Sequence, residues 1–310
     1  MRPSYLTLHE KGVLKQRTHD ALEILRSCEL CPRVCRVNRY EAELGFCRTG
    51  RLAVVSSYNA HFGEESPLVG AHGSGTIFFT HCNLLCLFCQ NYEISHLGMG
   101  EEVNAEILAR MMAQLQNLGC HNINFVTPTH VVPQILEALT LAIDLGLQVP
   151  LVYNTGGYDR VETLRLLEGV VDIYMPDLKF FDSALADRFC NAPDYPHAVR
   201  AALREMHRQV GDLTMDSREI AQRGLLVRHL VMPENIAHSA NIMAFLANEI
   251  SKDTYLNVMD QYRPCGEAHS HQDLSRRITR EEYQQAVDAA QKAGLHRLDS
   301  RERIRILRVR

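Results

Sequence analysis

The regular alternation of short apolar runs with amphipathic segments, from residue 76 to residue 293, most constrains the fold of this chain. The apolar runs are rich in β-branched or aromatic residues and predict strands at 76–80, 123–127, 149–153, 171–175, 225–231 and 255–259. The amphipathic segments predict helices at 104–118, 131–145, 160–167, 195–210, 237–250 and 280–293. Helices that follow strands in this way make the sheet parallel, with right-handed crossovers. The predicted fold is therefore α/β, a partial (β/α)6 TIM-like barrel.

A cysteine triplet, Cys82, Cys86 and Cys89, directly follows the first predicted strand. Three thiolates hold only three corners of a cubane iron–sulfur cluster, so one iron is left open to bind a substrate or a cofactor. Functional residues of such barrels sit at the carboxyl ends of strands, where this loop falls. The alternatives are a zinc site with His81 or Cys120 as fourth ligand, or buried structural thiols. An asymmetric triplet directly after an apolar strand favours the cluster.

A second set of cysteines, Cys28, Cys31, Cys35 and Cys47, precedes the predicted barrel. Four thiolates saturate either a tetrahedral zinc ion or all four corners of a cubane, so this site is expected to be closed to substrate. Its expected role is electron relay or structural staple. The spacing fits iron–sulfur and zinc alike, with ligand identity favouring iron–sulfur. With a helix predicted at 11–25, residues 1–70 form a small cysteine-rich extension and residues 71–310 the core domain.

Composition limits the class and the compartment of the protein. The chain has 310 residues, 46% hydrophobic and 23% charged, which suffices for one large domain with a small appendage. No apolar run approaches the length of a membrane span, and residues 1–5 do not resemble the start of a signal peptide. Seven of the ten cysteines lie in the two sets, which in a reducing compartment indicates metal ligation. We therefore expect a cytoplasmic protein without membrane association.

The charge of the chain argues against nucleic acid as a partner. The formal net charge of −4 offers no general attraction to a polyanion. Residues 303–310 alternate basic and apolar side chains, a pattern that predicts a terminal strand with one packed face rather than an RNA-binding tail.

Polar residues also follow the other predicted strands. We call these segments the strand tips, and they occupy 127–130, 153–158, 176–179, 232–235 and 260–265. Arg228 lies inside the fifth strand. The carboxyl ends of parallel strands meet at one edge of a sheet, so these residues are expected to line one polar cavity facing the open iron. The last tip ends at Cys265 and is followed by His269 and His271. These side chains could bind a metal or place a hydrogen-atom donor at the cavity rim, although a mobile loop with incidental histidines is the favoured interpretation. Cys120 and Cys190 are expected to be packing residues.

These motifs carry a family resemblance. The triplet, with the aromatic Phe88 just before its last cysteine, has the spacing found in radical S-adenosylmethionine (SAM) enzymes. From Cys28 onward the chain resembles the uncharacterised iron–sulfur proteins described as homologues of pyruvate formate-lyase activating enzyme. The resemblance rests on both cysteine sets and on residues 73–79, 89–95, 124–130, 175–179, 227–233 and 259–264.

The resemblance implies a [4Fe-4S] cluster on the triplet, whose open iron chelates the amino and carboxylate groups of SAM. An electron from the cluster then cleaves the sulfonium to a 5′-deoxyadenosyl radical. It places Phe88 against the adenine, Asn154 near the ribose and Lys179 near the methionine carboxylate. Asp177 would fix Lys179, bind a cation or cap a turn, and Arg228 completes the expected cofactor-binding set.

The substrate is not fixed by the resemblance. Activating enzymes of this kind take a hydrogen atom from a glycine of a large partner enzyme, and they receive electrons from a donor such as flavodoxin or ferredoxin. This chain departs from them in its N-terminal cysteines, in Tyr262 and Arg263, and in residues 127–129, which replace a Gly-Gly-Glu motif. The alternatives are radical modification of a small molecule or RNA, or a non-enzymatic iron–sulfur electron carrier.

Overall fold

A computed structural model describes residues 2–299, which fold around a mostly parallel sheet. The strands are β1 (Ala53–His61), β2 (Ser74–Phe79), β3 (Glu101–Val103), β4 (Ile123–Val126), β5 (Leu151–Thr155), β6 (Ile173–Pro176), β7 (Thr214–Met215), β8 (Ala221–Leu230) and β9 (Tyr255–Met259). Parallel pairing runs in the order β2-β4-β5-β6-β8-β9. These six strands are the six predicted from the sequence. The α/β prediction is confirmed, and the sheet is consistent with a partial TIM-like barrel.

Helices connect the parallel strands and cover the sheet. They are α1 (Ser4–Glu10), α2 (Val13–Ile24), α3 (Ser66–Val69), α4 (Tyr92–Ser95), α5 (Ala105–Asn117), α6 (Val132–Asp144), α7 (Val161–Leu166), α8 (Ser183–Cys190), α9 (Tyr195–Val210), α10 (Ser239–Phe245) and α11 (Arg280–Ala293). Helix α10 continues as a π-helix, Leu246–Ile250. Each predicted helix is present within two residues at either end, α10 with its π-helical continuation.

The sequence did not predict β1, β3 and β7, which extend the sheet in antiparallel fashion. β1 pairs with β2 and with β3, whereas β7 pairs with the first half of β8. β1 begins with buried residues and then becomes exposed in its centre, so it lacks the continuous apolar run that marks a buried parallel strand. Helices α1, α3, α4 and α8 were also missed, since four to eight residues give a weak periodic signal.

The N-terminal segment packs against the barrel. Tyr5 of α1 is fully buried, and its hydroxyl donates to the carbonyl of Val149 at 2.9 Å. The Thr18 hydroxyl of α2 lies 3.3 Å from the carbonyl of Leu136 in α6. β1, within residues 1–70, belongs to the main sheet, while the division into two domains at residue 70 stays a prediction. Within residues 2–299 no helix has the length and apolarity needed to cross a bilayer. The strand predicted at 303–310 lies outside the described residues.

Strand register brings the polar strand ends together. Phe78 pairs with Val126, and Val126 in turn pairs with Asn154. Just beyond β6, Asp177 forms a bridge to Arg228 of β8. The carboxyl ends of β2, β4, β5, β6 and β8 therefore lie side by side along one edge, and the cysteine loop leaves β2 at that edge.

Candidate active site

A cavity at this carboxyl edge brings the predicted site residues together. It is lined by the triplet and Phe88, by Asn154, Asp177, Lys179 and Arg228, and by further residues that include Thr127 and Gln261. The tip at 232–235 is an exception, because Met232 and Asn235 line a separate pocket beside α11. The expectation that all five tips share one cavity was therefore wrong for that tip, although Arg228 and Leu230 of the same strand do line the cavity.

The cysteine loop is tight and non-helical. His81 and Leu85 have φ values of 68° and 53°, a region that L-residues adopt only in special turns. The backbone N–H of Leu84 donates to the Cys82 sulfur at 3.3 Å, and the Ser95 hydroxyl donates to the Cys89 sulfur at 3.3 Å. Burial raises the pKa of the Cys82 thiol to about 12. A thiol in such surroundings becomes a thiolate when a metal takes the place of its proton.

A buried charged network faces the triplet across the cavity. Asp177 binds Lys179 through one carboxylate oxygen and the Nε of Arg228 through the other, the latter at 2.7 Å. Burial works to raise the pKa of Asp177, but the charges of Arg228 and Lys179 outweigh it and hold that pKa below its usual range. Arg228 also donates to the Oδ1 of Asn154 at 2.7 Å. This bond uses the oxygen of the amide, so the NH2 end of Asn154 is the part that can serve a ribose hydroxyl.

Tyr195, which the sequence analysis did not single out, ties two strand ends together. Its hydroxyl accepts from the backbone N–H of Lys179 at 3.0 Å and lies 2.9 Å from the carbonyl of Asp177 and 3.0 Å from that of Gly156. The neighbouring Gly157 has φ +80°, and a Cβ there would meet the Asp177 carbonyl at 2.4 Å. Tyr195 and Gly157 therefore fix the backbone that carries Lys179. An aromatic residue at a helix start gave no sequence signal for this role.

Thr127 stands at the first position of the replaced Gly-Gly-Glu motif and keeps a glycine-like backbone. Its φ is +60°, an outlier for a β-branched residue, and it lines the cavity. Its N–H donates to the carbonyl of Asn154 at 2.9 Å, which holds the strained conformation. Strain of this kind persists where surrounding structure over-determines it, most often at functional sites. The backbone here is thus placed as in a glycine turn although the side chain differs.

The remaining candidates divide between the cavity and the core. Phe88 lines the cavity but also packs edge-to-face on Phe180, with ring centroids 5.8 Å apart. Cys120 is buried beside Gly75 in the core, away from the triplet. Cys190 is buried in the core, as expected of a packing residue, and it also places its sulfur 3.1 Å from that of Cys86. Helix α8, which carries Cys190, was not predicted, so no local pattern could have revealed this contact.

The loop after β9 is more ordered than expected. Gly266–Ser270 forms a short 3-10 helix, and the N–H of Glu267 donates to the Leu87 carbonyl at 2.9 Å. Tyr92 closes this contact through a hydrogen bond to Glu267 at 3.2 Å. The segment therefore buttresses the cysteine loop from outside, with His269 exposed to solvent.

The N-terminal cysteines also converge. Cys28, Cys31, Cys35 and Cys47 line one small cavity of their own. The backbone N–H of Phe46 points at the Cys35 sulfur at 3.4 Å. Within residues 2–299, no group of three Cys, His, Asp or Glu side chains has the spacing needed to bind a single metal ion. Neither cysteine set is therefore arranged around one metal ion. Cubane thiolates each bind a different iron, so they surround a volume rather than one point.

Comparison with known proteins agrees with this geometry. The sequence model of the radical SAM superfamily matches residues 76–217 of this chain, which include the triplet, Asn154, Asp177 and Lys179. The chain belongs to the radical SAM superfamily. It is also 32% identical over 294 residues to an uncharacterised protein of Methanocaldococcus jannaschii, an alignment that covers 92% of this chain and 80% of that protein. As a radical SAM enzyme, the protein uses a [4Fe-4S] cluster and SAM.

The residues present fit both groups. Three cysteines that line the cavity supply the thiolates that a site-open cubane requires. Lys179 offers an ammonium for a carboxylate, and Asn154 offers an amide for a ribose hydroxyl. When bound, the cluster and SAM supply a carbon-centred radical, while the chain positions them and excludes water. The individual contacts of Phe88, Asn154, Asp177, Lys179 and Arg228 with SAM stay predictions.

Proposed function

We propose that this protein reductively cleaves SAM to methionine and a 5′-deoxyadenosyl radical, and that the radical takes a hydrogen atom from a glycine of a partner enzyme. The observation that carries the proposal is the single cavity in which the cysteine triplet faces the network of Asn154, Asp177, Lys179 and Arg228. The resemblance to pyruvate formate-lyase activating enzyme supports the glycyl substrate. The chemistry needs reduced thiols and a low-potential donor such as flavodoxin or ferredoxin, which places it in the cytoplasm.

The proposal includes a metal at the N-terminal cysteines. Arg39 supports it, because this side chain is only 3% exposed and is bonded to the His130 carbonyl at 2.8 Å and the Cys47 sulfur at 3.5 Å. Its Nε is buried without a partner. A buried guanidinium needs negative charge nearby, and four metal-bound thiolates supply it.

The function is tested with the reconstituted, reduced enzyme, SAM and a glycyl-radical enzyme of the same genome labelled with deuterated glycine. We expect deuterium in the 5′-deoxyadenosine product and a glycyl radical signal in the electron paramagnetic resonance (EPR) spectrum of the partner. Formation of unlabelled 5′-deoxyadenosine alone would overturn the glycyl substrate and favour a small molecule or RNA as the substrate. Nucleoside mass spectrometry of a deletion strain would then test the RNA alternative. Absence of 5′-deoxyadenosine would overturn the radical chemistry itself.

A further inference from the structure

We propose that Cys28, Cys31, Cys35 and Cys47 hold a second [4Fe-4S] cluster that relays electrons to the catalytic cluster. The inference rests on the proposed function, since a relay needs a cluster at the triplet to receive its electrons. We assign an iron–sulfur cluster rather than zinc because this site contacts the catalytic cysteine loop directly. An iron–sulfur cluster can pass electrons to that loop, whereas zinc is redox-inert.

Asn83 is the first connection between the two cysteine sets. It follows Cys82 in the chain, and its side-chain amide works to lower the pKa of the nearby Cys31 thiol, which burial raises to about 12. The side chain is buried and is held in place by a 2.7 Å bond from its amide to the Tyr158 carbonyl. A single residue thus links a ligand of one set to a ligand of the other.

Arg33 supplies a second connection. Lying two residues after Cys31, it donates to the Asn83 carbonyl at 2.9 Å and to the Cys190 carbonyl at 3.2 Å. Cys190 in turn places its sulfur 3.1 Å from that of Cys86. The N-terminal site therefore approaches the catalytic loop through both Cys82 and Cys86, by way of segments far apart in sequence.

A third contact comes through Arg39, which also lines the N-terminal cavity. Arg39 joins the Cys47 sulfur to the His130 carbonyl. The imidazole of His130 is bonded to the carbonyl of Thr80 at 2.9 Å, just before the cysteine loop. Burial lowers the pKa of His130 to about 3, so this imidazole is neutral and adds no charge to the path. The buried cation of Arg39 stabilises the negative charge of a thiolate-bound cluster.

The electron transfer balances as a one-electron process. Flavodoxin hydroquinone, an anion at neutral pH, gives one electron to the N-terminal cluster and becomes the neutral semiquinone, so no proton is released. The electron passes to the catalytic cluster and then into the C5′–S bond of SAM, which breaks to give methionine and the 5′-deoxyadenosyl radical. No further oxidant or reductant is needed.

Metal identity is tested in the variant with Cys82, Cys86 and Cys89 replaced by alanine, which isolates the N-terminal site. We expect about four irons per chain and an EPR signal on reduction, because one cubane holds four irons. One zinc per chain, or no metal, would overturn the proposal.

The relay is tested by replacing Cys28, Cys31, Cys35 and Cys47 with serine while the triplet stays intact. Reduction of the catalytic cluster is followed by stopped-flow absorption, once with flavodoxin hydroquinone and once with dithionite, which is small enough to reach the cavity directly. We expect at least a tenfold slower reduction by flavodoxin, with the yield of 5′-deoxyadenosine under dithionite unchanged. Equal flavodoxin rates in variant and wild type would overturn the relay, whereas loss of cleavage in wild type under both reductants would instead contradict the proposed function.

Two further variants guard against a folding artefact. Asn83→Ala keeps all seven cysteines and should retain about eight irons per chain, the content of two cubanes. Reduction of its catalytic cluster by flavodoxin should nevertheless be slower than in the wild type. Cys120→Ala, a buried cysteine outside both sets, should leave iron content and both rates at wild-type values. An Asn83→Ala enzyme that is reduced by flavodoxin as fast as the Cys120→Ala control would show that this contact carries no electrons.

Discussion

Replacing Cys82, Cys86 and Cys89 together with alanine is expected to abolish formation of 5′-deoxyadenosine and to lower the iron content from about eight to about four per chain. The triplet lines the cavity in which the cofactor network also lies, whereas the N-terminal cysteines line a separate one. Burial raises the pKa of Cys82 to about 12, so this thiol favours its protonated form until iron replaces the proton. The assay is product analysis after anaerobic reconstitution and reduction with dithionite.

Cys265→Ala provides the matched comparison for the triplet. Cys265 lies beside the 3-10 helix that packs on the cysteine loop, but it is not among the residues that line the cavity. Its replacement should therefore leave both iron and product near wild-type values. Persistence of 5′-deoxyadenosine in the triple variant would remove the basis for placing the catalytic cluster at this loop.

Asp177→Asn is expected to lower the free energy of unfolding by about 3–5 kcal/mol, the usual cost of breaking a buried ion pair. The substitution leaves the buried ammonium of Lys179 without its carboxylate and removes the principal anion beside Arg228. The pKa of Asp177 lies below its usual value in the folded protein. Its stabilisation is therefore present above the unfolded pKa of about 3.9 and is lost only as the pH falls through the lower folded pKa. Urea unfolding at pH 7 thus measures the full effect.

Lys179→Met separates cofactor binding from stability in the same network. Asp177 keeps its partner Arg228, so the loss of stability should be clearly smaller than in Asp177→Asn. Affinity for SAM should nevertheless fall roughly ten- to a hundredfold, because a charge-assisted contact worth about 1.5–3 kcal/mol is removed. Equilibrium dialysis with labelled SAM measures this, with iron content as the control. Wild-type affinity in Lys179→Met would place the methionine carboxylate elsewhere around the open iron.

The sequence predicted the parts of this protein that depend on local pattern. Buried parallel strands are continuous apolar runs, so all six could be found. The rule that functional residues lie at the carboxyl ends of strands singled out Asn154, Asp177 and Lys179, and these residues line one cavity with the triplet. β1 was missed because only its first residues are buried. Beyond Val55, β1 pairs with β2 but no longer with β3 and becomes more exposed, so it lacks the pattern on which the prediction relied.

Contacts between distant segments could not be predicted at all. The sulfurs of Cys86 and Cys190 meet although 104 residues separate them, and Arg33 reaches Asn83 across 50 residues. Nothing local in the sequence encodes such a meeting, since it follows from how helices and loops pack on the finished sheet. The same holds for Tyr195, whose role appears only when the ends of β5 and β6 lie next to each other.

The central claim is that SAM binds the open iron of the triplet's cluster with its methionine end. Electron–nuclear double resonance of the reduced enzyme measures this directly, with SAM carrying 15N in the amino group and 17O in the carboxylate. We predict hyperfine coupling from both labels in the wild type, and none in the variant that lacks the triplet. Absence of coupling from either label in the wild type, at a SAM concentration that saturates its binding, would contradict the account.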